Sequence, residues 1–458
     1  MAFNSYVFVL FFAVVLVLHR SLRGQRARLW LLLVASAIFY ASWSAPFLAL
    51  LGLSIVVDYG LGLALASATR HRKLLLAVSI ALNLGALSLF KYGDFLVGNV
   101  NGLLRLAGVA RSVPLPGLTL PLGISFYTFM TLSYTIDVYR GACPVERSLL
   151  RYAVFLIFFP HLVMGPILRA NEFLPQLAEP DPTADRSHFG VNRIAIGFAK
   201  KLLLADLLAR FVEPVFADPA AYDGAANLIA VYLYPFQIYF DFSAYCDIAI
   251  GCAALLGYRL PENFDRPLLA ASLRDFWRRW HRTLSNWLRD YVYLPLGGAR
   301  NGEGRAALNV LVTMVLGGLW HGAAWHYVAW GALSGAVLIL ERLWAGPPRA
   351  WRVLVTFNLF ALTLVLFRAP SLRLAGTVLA RIARLPSSAS PTRVLLALTL
   401  PALLLSAYAL CASLRRSWEE VAPRTSLQAV GYGCALGVTV LLLAMLGAPP
   451  TEFIYFHF

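Results

Sequence analysis

Eight histidines occur in the chain, and one of them sits where a histidine is costly. His321 lies in LGGLWHGAAWHYVAWG, between two apolar runs and far from any cluster of charge. An ionisable group at membrane depth marks a functional site by default. A desolvated imidazole favours its neutral form, which a general base must have. Gly317, Gly318 and Gly322 flank it, and their missing side chains leave room for a ligand or for close helix packing. The competing reading is a buried histidine bonded to a neighbouring helix. His326 follows five residues on, about 140° around a helix, so the pair lacks metal-site spacing and His326 reads as packing. His161, in FFPHLVMGPILR, follows Pro160; it lines the same cavity or, as the better reading, bonds backbone at a helix end. His19, His71 and His188 lie beside charged loops and read as solvated.

A second candidate is the basic segment LRDFWRRWHRTLSNWLRDY, residues 273–291. On a helical wheel, Leu273, Phe276, Trp277, Trp280, Leu284, Trp287, Leu288 and Tyr291 share one face within about 60°. Arg274, Asp275, Arg278, Arg279, Arg282, Arg289 and Asp290 take the other. Such a helix is too charged to span a bilayer and belongs in the interface. His281 falls at about 80°, on the border of the apolar face. One reading is an anchor on anionic lipid with His281 at the surface. The sharper one is a cationic lip over a membrane cavity, shaped for an anionic cytosolic ligand such as a phosphorylated cofactor.

Acids in apolar runs are the third anomaly. YLYPFQIYFDFSAYCDIAIG carries Gln237, Asp241, Ser243, Tyr245 and Asp247, and Asp137 sits close to Arg140. Such groups relay protons, bind substrate, or pair with a cation and hold helices together; pairing is the better reading for Asp137.

The elements that must carry these residues are membrane helices. The 458 residues are 59% hydrophobic and only 14% charged, with mean hydropathy +0.69, whereas a soluble globular protein carries about 25% charged residues. A soluble enzyme, a disordered chain and a disulfide scaffold are excluded. The formal net charge of +16 suggests nucleic-acid binding at first sight, but the basic residues lie in short clusters between apolar runs, as the positive-inside rule requires. Five scattered cysteines without a CxxC pair point to neither zinc nor a disulfide framework. Candidate spans fall near 4–19, 29–44, 46–67, 74–91, 121–138, 149–165, 190–212, 225–256, 307–321, 323–341, 351–368, 392–412 and 427–447. Several are short or polar, so about eleven true spans are expected, with some half-membrane helices. Basic clusters after the first and third spans put the N-terminus outside, and the C-terminal tail TEFIYFHF, residues 451–458, would also lie outside. Without a composition break, residues 1–458 read as one membrane-embedded domain.

These stretches resemble the membrane-bound O-acyltransferases, in the bacterial branch that modifies alginate, peptidoglycan and teichoic acid. The resemblance rests on FNSYVFVLFF, PLGISFYTFMTLSYTIDVYRG, FFPHLVMGPILR, FQIYFDFSAYCDIAIG, LGYRLPENFDRP, DFWRRWHRTLSNWLRDYVYLPLGG, GLWHGAAW and FIYFHF, in family order over the whole chain. It implies an all-α polytopic fold around a central cavity, with a cytosolic funnel for the acyl donor and an extracytoplasmic opening for the acceptor. The family's essential histidine maps to His321 and its second signature position to His281. His161 stands where a glutamine is usual in this branch. The arginine helix, with Trp277, Arg278, Arg279, Arg282, Trp287 and Arg289, would then hold the donor, and Trp320, His161, Gln237, Asp241 and Tyr245 would line the cavity.

The expected activity is transfer of an acyl group, acetyl first, from a cytosolic thioester to hydroxyls of an exported or wall polysaccharide. The donor would be acetyl-CoA or an acyl carrier protein thioester, with no bound cofactor or metal. Tyr455 in the tail would relay the acyl group to a secreted partner transferase, or else anchor the tail at the interface. The location would be a bacterial inner membrane, with lipid as partner and no nucleic acid. D-alanyl transfer to a wall polymer is the nearer alternative, and a polysaccharide transporter the more distant one.

Overall fold

The computed structural model describes residues 1, 3–68, 70–178, 187–343, 348–385 and 390–419, with the side chains of 343 and 411–419 excepted. It is all-helical: among the described residues there is no strand. The last expected span, 427–447, and the tail with Tyr455 lie outside the described residues.

The chain forms two compact units. The first comprises Met1–Arg186 with Cys252–Pro261, and the second Ser187–Gly251 with Glu262–Phe458. In the first unit, α1 (Tyr6–Ser21), α2 (Gln25–Ala41), α3 (Ala45–Ser67), α4 (Arg72–Leu87) and α5 (Gly93–Leu106) are followed by α6 (Ile124–Arg140), α7 (Leu149–Ile157) and α8 (Ala170–Ala178). Leu53, Val56, Leu74, Leu82 and Leu96 stand exposed on α3 to α5, as side chains facing lipid do. A π-helical turn, Ser88–Tyr92, joins α4 and α5 into one helical run of 35 residues. The span expected at 74–91 stops short of this run, which continues through GDFLVGNVNGLLRL, a stretch rich in Gly and Asn. Similarly, the expected span at 149–165 is helical only to Ile157; Pro160 lacks the N–H a further turn requires. His19, expected in solvent, is buried, its ring 6.3 Å from that of Tyr258.

Asp58 on α3 is buried within this unit and accepts hydrogen bonds from Ser79 (3.1 Å), Asn83 (2.9 Å) and Ser54 (3.4 Å). A buried carboxylate needs such partners, because leaving a charged group unsatisfied costs several kcal/mol.

The second unit begins with α9 (Ser187–Ala199), a π-helical segment Lys200–Ala205, α10 (Asp206–Ala217) and α11 (Gly224–Leu255), whose last turn belongs with the first unit. The acids of α11 meet cations here. Asp247 binds Arg193 (2.7 Å) and Lys200 (2.6 Å), while Lys201 binds Asp241 (2.7 Å) and Asp206 (2.9 Å). The π-helical segment fits an extra residue into its turn and so is under-wound, and its two consecutive lysines face acids six positions apart on α11. After α12 (Leu273–Arg279) and α13 (Arg282–Leu288) come α14 (Glu303–His321), α15 (Trp325–Leu340), α16 (Arg349–Arg368), α17 (Leu372–Ala383) and α18 (Pro391–Glu419).

Five described segments are long and apolar enough to cross a bilayer: Ala45–Ser67, Arg72–Leu106, Gly224–Leu255, Arg349–Arg368 and Pro391–Leu410. Tyr6–Ser21 and Trp325–Leu340 are shorter apolar helices. The protein is a multi-pass membrane protein.

Candidate active site

The segment 273–291 is not one helix. Its apolar and charged residues keep a helical period throughout, but α12 ends at Arg279 and α13 begins at Arg282. Trp280 is extended, and His281 is left-handed, with φ 42° and ψ 54°. A left-handed conformation is uncommon for a residue other than glycine and costs about 1–3 kcal/mol. Tertiary bonds hold the break. The carbonyl of Asn263 accepts from Arg282 N (3.0 Å), and Asp265 N donates to the carbonyl of Arg279 (2.9 Å). Ser272 Oγ caps α12 by accepting from Asp275 N (3.0 Å), and the Glu341 carboxylate accepts from Leu273 N (2.7 Å) and Arg274 N (3.2 Å).

The break moves His281 from the expected surface border into the protein, where it is only 1% exposed. Phe242 and Trp320 flank its ring at 4.8 and 5.8 Å. Burial pushes the imidazole down to about 3, so it is neutral at ordinary pH.

His321 is the last residue of α14; Gly322 leaves the helix in an extended conformation. The histidine is buried in an aromatic box, 4.9 Å from Trp320, 5.3 Å from Trp330 and 5.1 Å from Phe367 between ring centroids. Trp320 thus lies in ring contact with both histidines. His326 lies in the first turn of the next helix and binds the carbonyl of Leu366 through Nδ1 at 3.0 Å. It packs, as expected, but the two histidines are on different helices, so their spacing along a single helix has no meaning here.

The flanking glycines divide between the two roles. A Cβ on Gly318 would strike the carbonyl oxygen of Tyr327, and one on Gly322 would strike the Tyr327 ring, so both serve the close approach of α14 and α15. Gly317 instead opens onto a cavity, where a Cβ would meet only the tip of Leu288 at 3.2 Å.

That cavity, of about 610 Å³, lies wholly within the second unit. One face of α14 lines it through Val310, Thr313, Met314, Gly317 and His321, at helical spacing. From Val310 to His321 the wall runs roughly 16 Å at about 1.5 Å per residue. His281, Trp277, Trp280, Leu284 and Trp330 complete its interior, while Arg274, Arg278, Arg289 and Arg342 also line it. Arg289 pairs with Asp290 at 2.7 Å. Among the described residues no carboxylate lines the cavity. His281 Nε2 and the indole N–H groups of Trp277 and Trp330 are buried without hydrogen-bond partners among the described residues. Such groups are rare in folded proteins and fit a ligand's polar atoms.

Of the residues anticipated at the donor site, Trp277, Arg278 and Arg289 line this cavity. Arg279, Arg282 and Trp287 do not: Arg279 pairs with Asp275 (2.8 Å), and Trp287 is buried against Tyr291. Nor do the anticipated lining residues. Trp320 stands between the histidines, Gln237 binds Glu213 (3.1 Å), Asp241 binds Lys201, and Tyr245 is buried on α11. His161 belongs to the first unit and binds the carbonyl of Phe155 through Nε2 at 3.1 Å. The backbone-bonded reading holds for it. Sequence reading missed Asn263, Trp330 and Arg342. Only Arg342 carried a signal, as a lone cation ending an apolar run.

Two buried imidazoles thus line one largely apolar cavity together with four arginines. Residues 115–351, which carry both histidines and every residue of the cavity, match the MBOAT, membrane-bound O-acyltransferase family. The chain belongs to that family and is an acyltransferase. Membership sets aside the transporter alternative. The chain is 41% identical over 386 residues to the probable alginate O-acetylase AlgI of Pseudomonas aeruginosa, covering 82% of this chain and 73% of that protein. It is 34% identical over 391 residues to the peptidoglycan O-acetyltransferase of Helicobacter pylori (77% and 73% covered). Over 281 residues it is 29% identical to the teichoic acid D-alanyltransferase of Streptococcus thermophilus (54% and 68%).

Proposed function

We propose that this acyltransferase moves an acetyl group from an anionic thioester to a hydroxyl of an exported or cell-wall polysaccharide, with His321 as the base. The carrying observation is the cavity that joins His321 and His281 to Arg274, Arg278 and Arg342, with no acid in its wall among the described residues. The named activities of the relatives, alginate and peptidoglycan O-acetylation, supply the acyl group and the acceptor class. His321 takes the hydroxyl proton as the oxygen attacks the thioester carbon. The new C–O bond forms, the C–S bond breaks, and the proton passes to sulfur. Water kept out of an apolar pocket limits hydrolysis of the thioester. Arginines suit a phosphorylated donor, coenzyme A or a carrier-protein phosphopantetheine, entering from the cytosol. D-alanyl transfer shares every one of these steps and differs only in the acyl group.

Membrane vesicles bearing the full chain test this reading. Acetyl-CoA on the cytosolic face should lose its acetyl group to polysaccharide; vesicles that consume no thioester with either coenzyme A or carrier-protein donors refute it. A charge-assisted contact is worth about 1.5–3 kcal/mol. Arg278→Gln or Arg342→Gln should therefore raise the donor KM roughly tenfold or more, with kcat little changed.

The aromatic tail extends the proposal. Tyr455 accepts the acyl group and passes it to a secreted partner transferase in an inner membrane whose outer face holds both chain ends. Tyr455→Phe removes one oxygen and keeps the ring, so polymer acetylation should be lost; normal acetylation in that variant would sink the relay.

A further inference from the structure

The left-handed histidine sits beside an asparagine that satisfies three donors at once. Asn263 is fully buried, and its Oδ1 accepts from Thr283 N (3.2 Å), Thr283 Oγ1 (2.9 Å) and His281 Nδ1 (3.2 Å). Thr283 N–H can only donate, so the atom it meets is the amide oxygen and the orientation of the amide is fixed. The amide nitrogen then lies against Cys246 Sγ at 3.5 Å. Beside an oxygen with no proton to give, His281 Nδ1 must carry the hydrogen itself. A neutral imidazole has one N–H, so Nε2 is left with a lone pair. That nitrogen is buried and has no partner among the described residues, on a ring that lines the cavity.

We propose that Asn263 is a positioning residue: its side-chain oxygen fixes His281 as the Nδ1–H tautomer and commits Nε2 to accepting a hydrogen bond from the bound substrate. The proposal rests on the acyl-transfer reading for what that lone pair meets. It makes His281 a partner for a substrate O–H or N–H and not a donor to the thioester carbonyl. The same asparagine closes the break at Arg282 through its main chain, so one residue sets both the place and the protonation of the histidine. Among the described residues no carboxylate lines the cavity that His281 faces. Charged and titratable groups near His281 include Arg282, next in the chain, Cys246 on α11 behind Asn263, His321 on α14 beyond Trp320, and Arg274, Arg278, Arg289 and Arg342, which line the same cavity.

Nitrogen-15 NMR on the full-length protein in detergent, labelled at histidine, tests this at pH 7. Signals of His281 are identified by their loss in His281→Gln. The native protein should show His281 protonated at Nδ1 and bare at Nε2. Asn263→Asp keeps the shape and the acceptor but adds a charge, which stabilises imidazolium; both nitrogens should then be protonated. Unchanged signals from His161 and His326 report an intact fold. A native Nε2–H tautomer, or a His281 that stays neutral in Asn263→Asp, overturns the proposal. In parallel, Asn263→Asp should consume acetyl-CoA thioester at least tenfold more slowly than the native protein. If the native protein consumes none, the acyl-transfer reading fails, and the nitrogen signals still decide the role of Asn263.

Discussion

His321→Ala lowers the rate of acyl transfer by about 10²–10⁴, the range that one general base contributes. The donor KM should change little, because the arginines and the apolar wall that surround the donor remain. Folding should also survive, since the imidazole leaves a box of Trp320, Trp330 and Phe367 that still pack on one another's neighbours. His326→Ala is the contrasting control. It removes a bond to the Leu366 carbonyl that lies apart from the cavity, so stability should fall by about 1 kcal/mol with activity retained. The measurements are thioester consumption in vesicles and acetyl content of polymer from cells. Equal losses in the two variants would take away the special place given to His321.

Gly318→Val should be as damaging, by a different route. Its Cβ would strike the carbonyl oxygen of Tyr327 and come within 3.1 Å of the Gly331 backbone. Backbone cannot swing aside as a side-chain tip can, so α14 and α15 must separate. Overpacking a core costs typically 1–3 kcal/mol, and a clash of main chain against main chain lies at the upper end of that range. The expected result is a melting temperature in detergent several degrees lower and little active protein, because α14 carries His321 at its end. Gly317→Ala, one position earlier, meets only Leu288 Cδ1 at 3.2 Å. It should fold normally and act on the cavity alone, by raising the donor KM. If both variants melt like the native protein, the tight α14–α15 contact is not what holds the pair together.

The two routes show how far the sequence carries. His321 was legible because its surroundings are local: an ionisable residue in an apolar run, with glycines beside it. The flanking glycines allow either room for a ligand or close packing, and in the structure one of them opens onto the cavity while two serve the helix contact. The break at His281 was not legible. No proline or glycine lies between Leu273 and Tyr291, and the helical period runs through unbroken. What ends α12 is the main chain of Asn263 and Asp265, upstream of the helix, which takes up the Arg282 N–H and the Arg279 carbonyl. Such tertiary bonds leave no periodicity to read. The acids of α11 fall between these cases. Their presence was plain, but a sequence does not say whether a buried acid faces substrate or a cation, and Asp241 and Asp247 face lysines.

Those lysines bear on how the chain is made. Only four lysines occur in the protein, and two of them, Lys200 and Lys201, are buried side by side. Lys200 meets Asp247, which arrives forty-seven residues later in synthesis, on a helix long and apolar enough to cross the bilayer. On the insertion scale a lysine or an aspartate at the centre of a membrane helix costs about 2.5–3.5 kcal/mol. Lys201 has Asp206 close by to share its charge, but Lys200 has no such neighbour in the pairs it makes until α11 has emerged. The stretch from α9 to α11 is therefore most at home in lipid as a whole, and the order in which the ribosome releases it becomes part of how the protein reaches its membrane.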